Sequence, residues 1–178
     1  MHRDLLNISY SEETISACVR GLGQRLAAEY ADKNPIFLGI LKGSFVFMSD
    51  LIRACDFPLE VRFLTASSYG SSTVTSGNVS VSGAPGTEIA GRHVIIVEDI
   101  LDTGTTLAKI RDMLSAQNPA SLKICAFLDK AECRRADISA DYVGFTCPAA
   151  FFVGYGLDYA ERYRNLPYVG VLKPEVYE

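Results

Sequence analysis

The sequence has no excess of positive charge and no long hydrophobic run. Its 17 lysines and arginines are outnumbered by 21 aspartates and glutamates, which gives a formal net charge of -4 at pH 7. A nucleic-acid-binding protein usually presents a basic surface, so this balance argues against nucleic acid as a partner. No apolar run approaches the length that crosses a membrane. We therefore expect neither nucleic acid nor a membrane as a partner.

Cysteine-based metal sites and secretory signals are also missing. The five cysteines form no pair with the spacing of a metal site or a redox motif. We interpret them as packing residues in a reducing compartment. Residues 1–4 lack the apolar stretch of a signal peptide. Together these absences predict a cytoplasmic protein.

What the sequence does contain is an alternation of helical and extended patterns along 178 residues, the size of one domain. Apolar residues recur at helical spacing over 11–32, with Ser11 as the N-cap. Further helices are predicted over 45–55 and 105–116, and strands over 36–41, 59–66, 93–97, 122–128, 142–145 and 169–172. This order predicts an α/β fold with a mostly parallel central sheet and crossover helices.

Residues 67–83 fit no core element. Serine, threonine, glycine and asparagine dominate this stretch, and its valines are isolated. A loop of this length in a compact domain is usually functional or disordered. On local sequence alone, the first interpretation is a plain flexible hairpin, because Val79, Ser80 and Val81 alternate as in such a hairpin.

The chemistry concentrates in residues 97–107, which read VEDILDTGTTL. They lead from the end of a strand into a helix, at the sheet edge where α/β proteins bind ligands. Gly104 permits a backbone conformation in which successive amides face one anion, and the helix N-terminus adds unpaired N–H groups. Hydroxyl donors come from Thr103, Thr105 and Thr106. The pattern predicts a monophosphate site, and the missing Gly-Lys-Ser/Thr argues against a nucleoside-triphosphate P-loop.

Two adjacent carboxylates, Glu98 and Asp99, precede this phosphate cradle. Acids beside a phosphate would repel it, so we expect them to face a sugar diol or a cation held near one. The alternative is a pair of surface acids that caps a helix. Strand, acids, glycine and hydroxyls coincide in one order, which favours the site.

These residues resemble the phosphoribosyl-pyrophosphate motif of the type I phosphoribosyltransferases. Further segments make the chain similar to the hypoxanthine (hypoxanthine-guanine) phosphoribosyltransferase family over nearly its whole length: LKGS at 41–44, SSYG at 67–70, Lys130, and FFVGYGLDY at 151–159. The resemblance implies one domain over 1–178 with the type I phosphoribosyltransferase fold, a central mostly parallel sheet flanked by helices. It also implies a small hood built mainly from 148–178 and a mobile lid loop at about 67–91.

The implied reaction joins hypoxanthine or guanine to 5-phosphoribosyl-1-pyrophosphate, depends on Mg²⁺ and releases pyrophosphate. By the resemblance, Glu98 and Asp99 would approach the ribose hydroxyls, directly or through Mg²⁺, and Asp102 would be the general base for the purine N7 proton. The 5′-phosphate would be held by Asp102, Thr103, Gly104, Thr105 and Thr106. Pyrophosphate would be held by Lys42, Gly43, Ser68, Tyr69 and Arg164. The metal-binding set would be Glu98, Asp99 and Asp158, and the Leu41-Lys42 peptide is often cis in this family.

The resemblance also implies how the base is recognised. Lys130 would donate a hydrogen bond to the purine O6, which selects a 6-oxopurine because a 6-amino group is not an acceptor there. Phe151 would stack on the purine, with Phe152, Leu157 and Asp158 around it; core packing is the alternative for both phenylalanines. Ala149 and Ala150 stand where many relatives have polar or charged residues, and Phe152 is bulkier than the expected aliphatic residue. These departures leave the preference among hypoxanthine, guanine and xanthine open.

Three other functions are weighed against this one. A non-catalytic regulator could share the 97–107 motif, sense phosphoribosyl pyrophosphate and bind nucleic acid, but the acidic charge argues against it. A pyrimidine or adenine phosphoribosyltransferase would not call for Lys130 and the 151–158 segment. A phosphatase with Asp102 as nucleophile would need a second acid where Gly104 stands. The resemblance to this family further implies a homodimer or homotetramer.

Overall fold

The structure, a computed structural model, describes residues 1–68, 79–82 and 89–177. Its strands are β1 (Leu5–Tyr10), β2 (Ile36–Leu41), β3 (Glu60–Ser68), β4 (Val79–Ser82), β5 (His93–Leu101), β6 (Ser121–Asp129), β7 (Tyr142–Thr146), β8 (Phe152–Val153) and β9 (Val169–Leu172). Its α-helices are α1 (Glu12–Tyr30), α2 (Phe45–Ala54), α3 (Thr105–Ser115) and α4 (Pro174–Tyr177). Within these described ranges, no helix combines the length and the hydropathy needed to cross a bilayer.

The main sheet has the strand order β4-β3-β2-β5-β6-β7. The five strands from β3 to β7 in that order run parallel, and β4 pairs antiparallel with β3 at one edge. Helices cover both faces. Phe37, Ile95 and Val97 pack on the face of α1 and α2, whereas Leu38 and Ile96 pack on the face of α3. This two-sided burial explains the continuous apolar runs of the strands and confirms the predicted α/β fold.

Helix α1 begins where its sequence predicts. The Ser11 hydroxyl accepts a hydrogen bond from the Thr14 N–H at 3.2 Å, and Glu12 and Glu13 occupy the first turn. Both features stabilise a helix start, because the first N–H groups lack partners within the helix. The apolar face buries Ile15 and other residues at helical spacing against the main sheet. The cap therefore sets where the chain leaves β1 and covers the sheet.

A second, antiparallel sheet has the order β1-β9-β8. We call this sheet and the segment 154–168 between β8 and β9 the hood. Its central strand, β9, comes from the predicted hood region, but β1 comes from the other end of the chain. Neither β1 nor β8 was predicted. In β1 only Leu5 is buried, and Leu6 and Ile8 are exposed, so the strand lacks a one-sided apolar pattern.

The predicted lid loop at 67–91 is described only in part. Strand β4 pairs with the end of β3 from Thr65↔Ser82 to Ser68↔Val79, as in a hairpin. Residues 69–78 and 83–88 lie outside the described residues, and Tyr69 is among them. The mobile lid therefore stays a prediction.

Candidate active site

Two adjoining cavities of about 260 Å³ each open where the carboxyl ends of β2, β5 and β6 meet the hood. The turn cavity is lined by Gly43, residues 98–104 and Thr106, together with apolar residues of β2 and α3. The hood cavity is lined by Lys130, Phe151, Phe152, Leu157 and Asp158. Both cavities share Asp99, Ile100 and Asp102 as a common border.

Most of the predicted site residues therefore come together, although they are distant in sequence. Thr105, Lys42 and Arg164 line neither cavity. Ser68 is the last residue of β3, and its side chain is not described. A larger groove of about 740 Å³ between α1, α2 and residues 164–167 contains only Arg164 of the predicted set.

The turn after β5 has the backbone geometry of an anion cradle. Gly104 is the N-cap residue of α3 and has φ 77°, in the left-handed region that favours glycine. A side chain there would also collide with Ile138. The Thr103 carbonyl accepts hydrogen bonds from the Arg135 and Ala136 N–H groups at 3.0 and 3.2 Å, on the side away from the cavity. The turn thus presents N–H groups and the start of α3 to an anion.

Glu98 and Asp99 form a buried pair of carboxylates beside this turn. Burial raises the pKa of Glu98 well above its usual range, and the neighbouring Asp99 charge raises it further. Burial also raises the pKa of Asp99, although the Ile100 N–H donates to its Oδ1 at 2.9 Å and partly offsets this effect. The Glu98 Oε2 is buried without a hydrogen-bond partner. A pair in this state is suited to a cation or to hydroxyl donors.

Gly43 packs directly against the Asp99 carboxylate. A methyl group on Gly43 would overlap the Asp99 side chain, so only glycine lets the loop after β2 approach this closely. The preceding Leu41-Lys42 peptide bond is cis, as the resemblance implies. The loop after β2 and the acids of β5 therefore form one continuous wall of the turn cavity.

Asp102 and Lys130 meet at the border of the two cavities. The Lys130 Nζ lies 3.4 Å from the Asp102 Oδ2 and 5.8 Å from the centroid of the Phe152 ring. The Lys130 side chain is only 12% exposed, whereas Asp102 is about half exposed, at 46%. An acceptor and a cationic donor this close can together contact a neighbouring N–H and C=O of one planar heterocycle.

Phe151, just before β8, and Phe152, the first residue of β8, both line the hood cavity but pack in different apolar clusters. Phe152 is buried in the main core, 6.5 Å from the ring of Tyr10, and also lines the hood cavity. Phe151 belongs to the hood cluster, where it stacks on Tyr177 at 4.8 Å and meets Tyr159 edge-on. The alternation of a strand separates the two rings. Phe151 is thus the aromatic ring on the hood side of the cavity.

The hood holds the remaining charged residues in one network. Arg164 pairs with Asp158 at 2.9 Å and donates to the Gly156 carbonyl at 2.8 Å. Glu161, which the sequence analysis missed, contacts Lys42 at 3.2 Å and Arg164 at 3.4 Å. Lys42 and Arg164 are both predicted pyrophosphate ligands. The Glu161 carboxylate therefore bridges two predicted ligands of the pyrophosphate. The Lys42 contact spans 119 residues, which no local pattern would reveal.

The predicted metal-binding carboxylates do not form a ready-made cage. Asp158 is engaged by Arg164 and by the Glu161 N–H, away from Glu98. In the parts of the chain that the structure describes, no three acidic, histidine or cysteine side chains converge as metal ligands. Mg²⁺ is nonetheless commonly bound through one or two carboxylates, with substrate oxygens and water completing its shell. The orphaned Glu98 oxygen fits such a site.

Comparison with known proteins finds relatives that match along the whole chain. The phosphoribosyl transferase domain family matches residues 9–160. The hypoxanthine-guanine phosphoribosyltransferase of Bacillus subtilis is 51% identical over 178 residues, 100% of this chain and 99% of that protein. A bifunctional TilS/HprT protein of Listeria innocua is 48% identical over 99% of this chain, which spans 27% of that protein. A crystal structure of a hypoxanthine phosphoribosyltransferase from Staphylococcus aureus superposes with a TM-score of 0.95 at 48% identity, covering 100% of this chain and 97% of that one.

Proposed function

The chain belongs to the hypoxanthine-guanine phosphoribosyltransferase family, and on that premise we propose that it transfers a phosphoribosyl group from 5-phosphoribosyl-1-pyrophosphate to hypoxanthine or guanine. Such an enzyme is a pentosyltransferase of purine salvage. The observation that carries the substrate assignment is the pair Asp102 and Lys130, whose charged atoms lie 3.4 Å apart at the border of the two cavities. Lys130 donates to the purine O6, and Asp102 accepts the N7 proton.

The two cavities divide the substrates between them. The 5′-phosphate occupies the turn cavity, where the backbone of 102–104 and the hydroxyl groups of Thr103 and Thr106 line it, and Thr105 contributes from the start of α3. The purine occupies the hood cavity, with Phe151 stacked on its ring. Glu98 and Asp99 face the ribose hydroxyls. The shared border at Asp102 then lies beside C1′, where the new bond forms.

The cofactor of this proposal is Mg²⁺, held through Glu98 and Asp99 directly or through water, with Asp158 near the pyrophosphate. When bound, it neutralises charge on the pyrophosphate. The support comes from the buried Glu98 oxygen without a partner and from the adjacent acids of the pair. The predicted pyrophosphate ligands in this proposal are Lys42, Gly43, Ser68, Tyr69 and Arg164.

The mechanism follows from these positions. The bond from C1′ to pyrophosphate breaks, the ribose becomes oxocarbenium-like, and the purine N9 attacks C1′ while Asp102 takes the N7 proton. Water would capture such a cation, so the site must exclude it. In this proposal the lid at 67–91 closes over the pyrophosphate, and Lys42 and Arg164 exchange the Glu161 carboxylate for the leaving group.

A spectrophotometric assay tests the function. The purified protein is given phosphoribosyl pyrophosphate, Mg²⁺ and, in turn, hypoxanthine, guanine, xanthine, adenine, uracil or orotate. We expect turnover of 6-oxopurines only, and its loss when a chelator removes the metal. Turnover of adenine or a pyrimidine would contradict the base assignment. Binding of phosphoribosyl pyrophosphate without turnover of any base would favour the non-catalytic regulator.

The remaining expectations concern assembly and location. We propose a homodimer or homotetramer, which sedimentation of the purified protein measures directly, and a cytoplasmic location. The substrates are small molecules, so nucleic acid and membranes have no part in the reaction. Retention of RNA or DNA in a filter-binding assay would contradict that last statement.

A further inference from the structure

We infer that Arg134 is a positioning residue of the reaction, which orients the phosphate-binding turn and sets Asp102 opposite Lys130. The inference rests on the proposed function of this site and extends it to a residue that lines neither cavity. Arg134 follows the short 3₁₀ helix Ala131–Cys133. From there its side chain reaches back under the turn that ends β5.

The guanidinium contacts the two strand ends that carry the site. Its Nη1 donates to the Leu101 carbonyl at 2.9 Å and also to the Asp102 carbonyl. Its Nη2 forms an ion pair with Asp129, at the end of β6. The side chains of Arg134 and Asp129 are only 15% and 17% exposed, so solvent screens this pair less than a surface pair. The planar fork of arginine can reach several acceptors at once, whereas a lysine ammonium acts as a single point.

Arg134 helps to place three successive carbonyl groups on one side of the turn. The Leu101 carbonyl also accepts from the Lys130 N–H at 3.0 Å, and the Thr103 carbonyl accepts from the N–H groups of residues 135 and 136. In a trans peptide, the carbonyl of one residue and the N–H of the next point in opposite directions. The N–H groups of residues 102–104 must therefore point away from the segment 130–136.

The opposite side of the turn is the turn cavity, which no residue of 130–136 lines. The segment around Arg134 thus holds the acceptors, and the donors are left for the substrate phosphate. Without Arg134, the Asp102 carbonyl loses this charged donor. Its peptide plane can then rotate, which turns a carbonyl dipole towards the anion and weakens phosphate binding.

Arg134 also links the two residues proposed for base recognition. It binds the backbone of Asp102, and it binds the side chain of Asp129, the residue immediately before Lys130. It touches neither the Asp102 carboxylate nor the Lys130 ammonium in the described contacts. Its effect on their 3.4 Å separation is therefore exerted through the backbone.

Arg135 provides a matched control, because it is the next residue, carries the same charge and is exposed. We would compare Arg134→Ala, Arg134→Lys and Arg135→Ala in steady-state kinetics and in amide hydrogen exchange without substrates. Arg134→Ala should raise the KM for phosphoribosyl pyrophosphate and lower kcat, so that kcat/KM falls about tenfold to a hundredfold. Arg134→Lys should recover only part of this loss, and Arg135→Ala should stay within about twofold of the wild type. Added guanidinium ion should partly restore Arg134→Ala.

The exchange measurement separates this inference from the proposed function. The Lys130 and Ala136 amides, which donate to the Leu101 and Thr103 carbonyls, should exchange faster in Arg134→Ala than in Arg135→Ala, whether or not the protein turns over a base. If the wild type has no activity, the proposed function is wrong, while the exchange comparison still tests Arg134. Equal kinetics and equal exchange in the two alanine variants would overturn the inference. If Arg134→Ala does not fold, full activity of Arg134→Lys would overturn it as well, because a point charge would then suffice.

Discussion

The turn cavity and the hood cavity have the same volume, about 260 Å³, but they are built from different kinds of groups. The turn cavity comes mainly from one stretch of the chain, residues 98–104 with Thr106 and Leu107, and from Gly43. It offers backbone N–H groups and a helix start. The hood cavity is built from side chains of separate segments, with Lys130 on one wall and residues 151–158 on the other. A phosphate is thus met by the main chain and a purine by side chains.

The two cavities depend on the amino-acid sequence in different ways. A cradle made of backbone needs glycine and small hydroxyl residues in a fixed order, because each defines a local conformation. A pocket made of side chains needs only that distant residues meet after folding. Substitutions in the turn cavity should therefore impair phosphoribosyl-pyrophosphate binding, and substitutions in the hood cavity should impair use of the base.

The change Asp102→Asn alters a residue that lines both cavities. It keeps the shape of the side chain but removes the base, so kcat should fall by about a hundredfold to ten-thousandfold. Binding of phosphoribosyl pyrophosphate, measured by calorimetry, should hardly change. An equal loss in turnover and in binding would show that Asp102 is not the general base.

The change Gly43→Ala introduces a methyl group on the turn-cavity side, because Gly43 lines the turn cavity and not the hood cavity. The added methyl group overlaps the Asp99 carboxylate, so this carboxylate must move. A misplacement of about 1 Å in an active site costs about a hundredfold in rate. The KM for phosphoribosyl pyrophosphate should rise with it. Gly21→Ala is the matched control, because nothing lies within 4 Å of its added methyl group. In helix α1 it should raise the free energy of unfolding by about 0.5–1 kcal/mol and leave the kinetics unchanged.

The change Lys130→Ala removes a side chain that lines only the hood cavity of the two. Loss of the charged donor should lower kcat/KM for hypoxanthine by about tenfold to a hundredfold, with little effect on the KM for phosphoribosyl pyrophosphate. Lys123→Ala is the control, because Lys123 lies in β6, which ends just before Lys130, and pairs with Asp141 at 2.8 Å outside the site. Unchanged hypoxanthine kinetics in Lys130→Ala would rule out this residue as the O6 donor.

The change Phe152→Leu should have the smallest effect. It removes the ring that lies 5.8 Å from the Lys130 ammonium but keeps an apolar side chain, so the KM for the base should rise about twofold to fivefold. The rise should vanish when Lys130 is already alanine, because the ring then has no cation to hold. A rise of the same size in both backgrounds would show that Phe152 contributes only by packing.

Much of the fold could be predicted because its elements have strong local signals. Strands β2 and β9 have the predicted bounds, and α1 starts at its predicted cap. Strand β5 was predicted to end at Val97, yet it continues to Leu101. Glu98 still pairs with Ala126 and Ile100 with Leu128, and hydropathy does not report such backbone pairing once acids interrupt the apolar run.

The site residues also differ in whether local sequence could reveal them. The turn of 97–107 could be recognised from its order of residues, and Gly43 came only from the family resemblance. Its reason, contact with Asp99, is tertiary. Glu161 was missed because its partners, Lys42 and Arg164, meet it only through the fold. The lid remains untested, since residues 69–78 and 83–88 lie outside the described residues.

The pairing of β1 with β9 has a consequence for synthesis on the ribosome. Strand β1 leaves the ribosome before the main sheet, and β9 leaves it afterwards. Leu5 therefore cannot pair with Leu172 until nearly the whole chain has been synthesised. The nascent chain can therefore complete the turn cavity while the hood cavity is still open. A chain cut short after residue 160 and released from the ribosome should resist protease in its main sheet but be cut within residues 1–10.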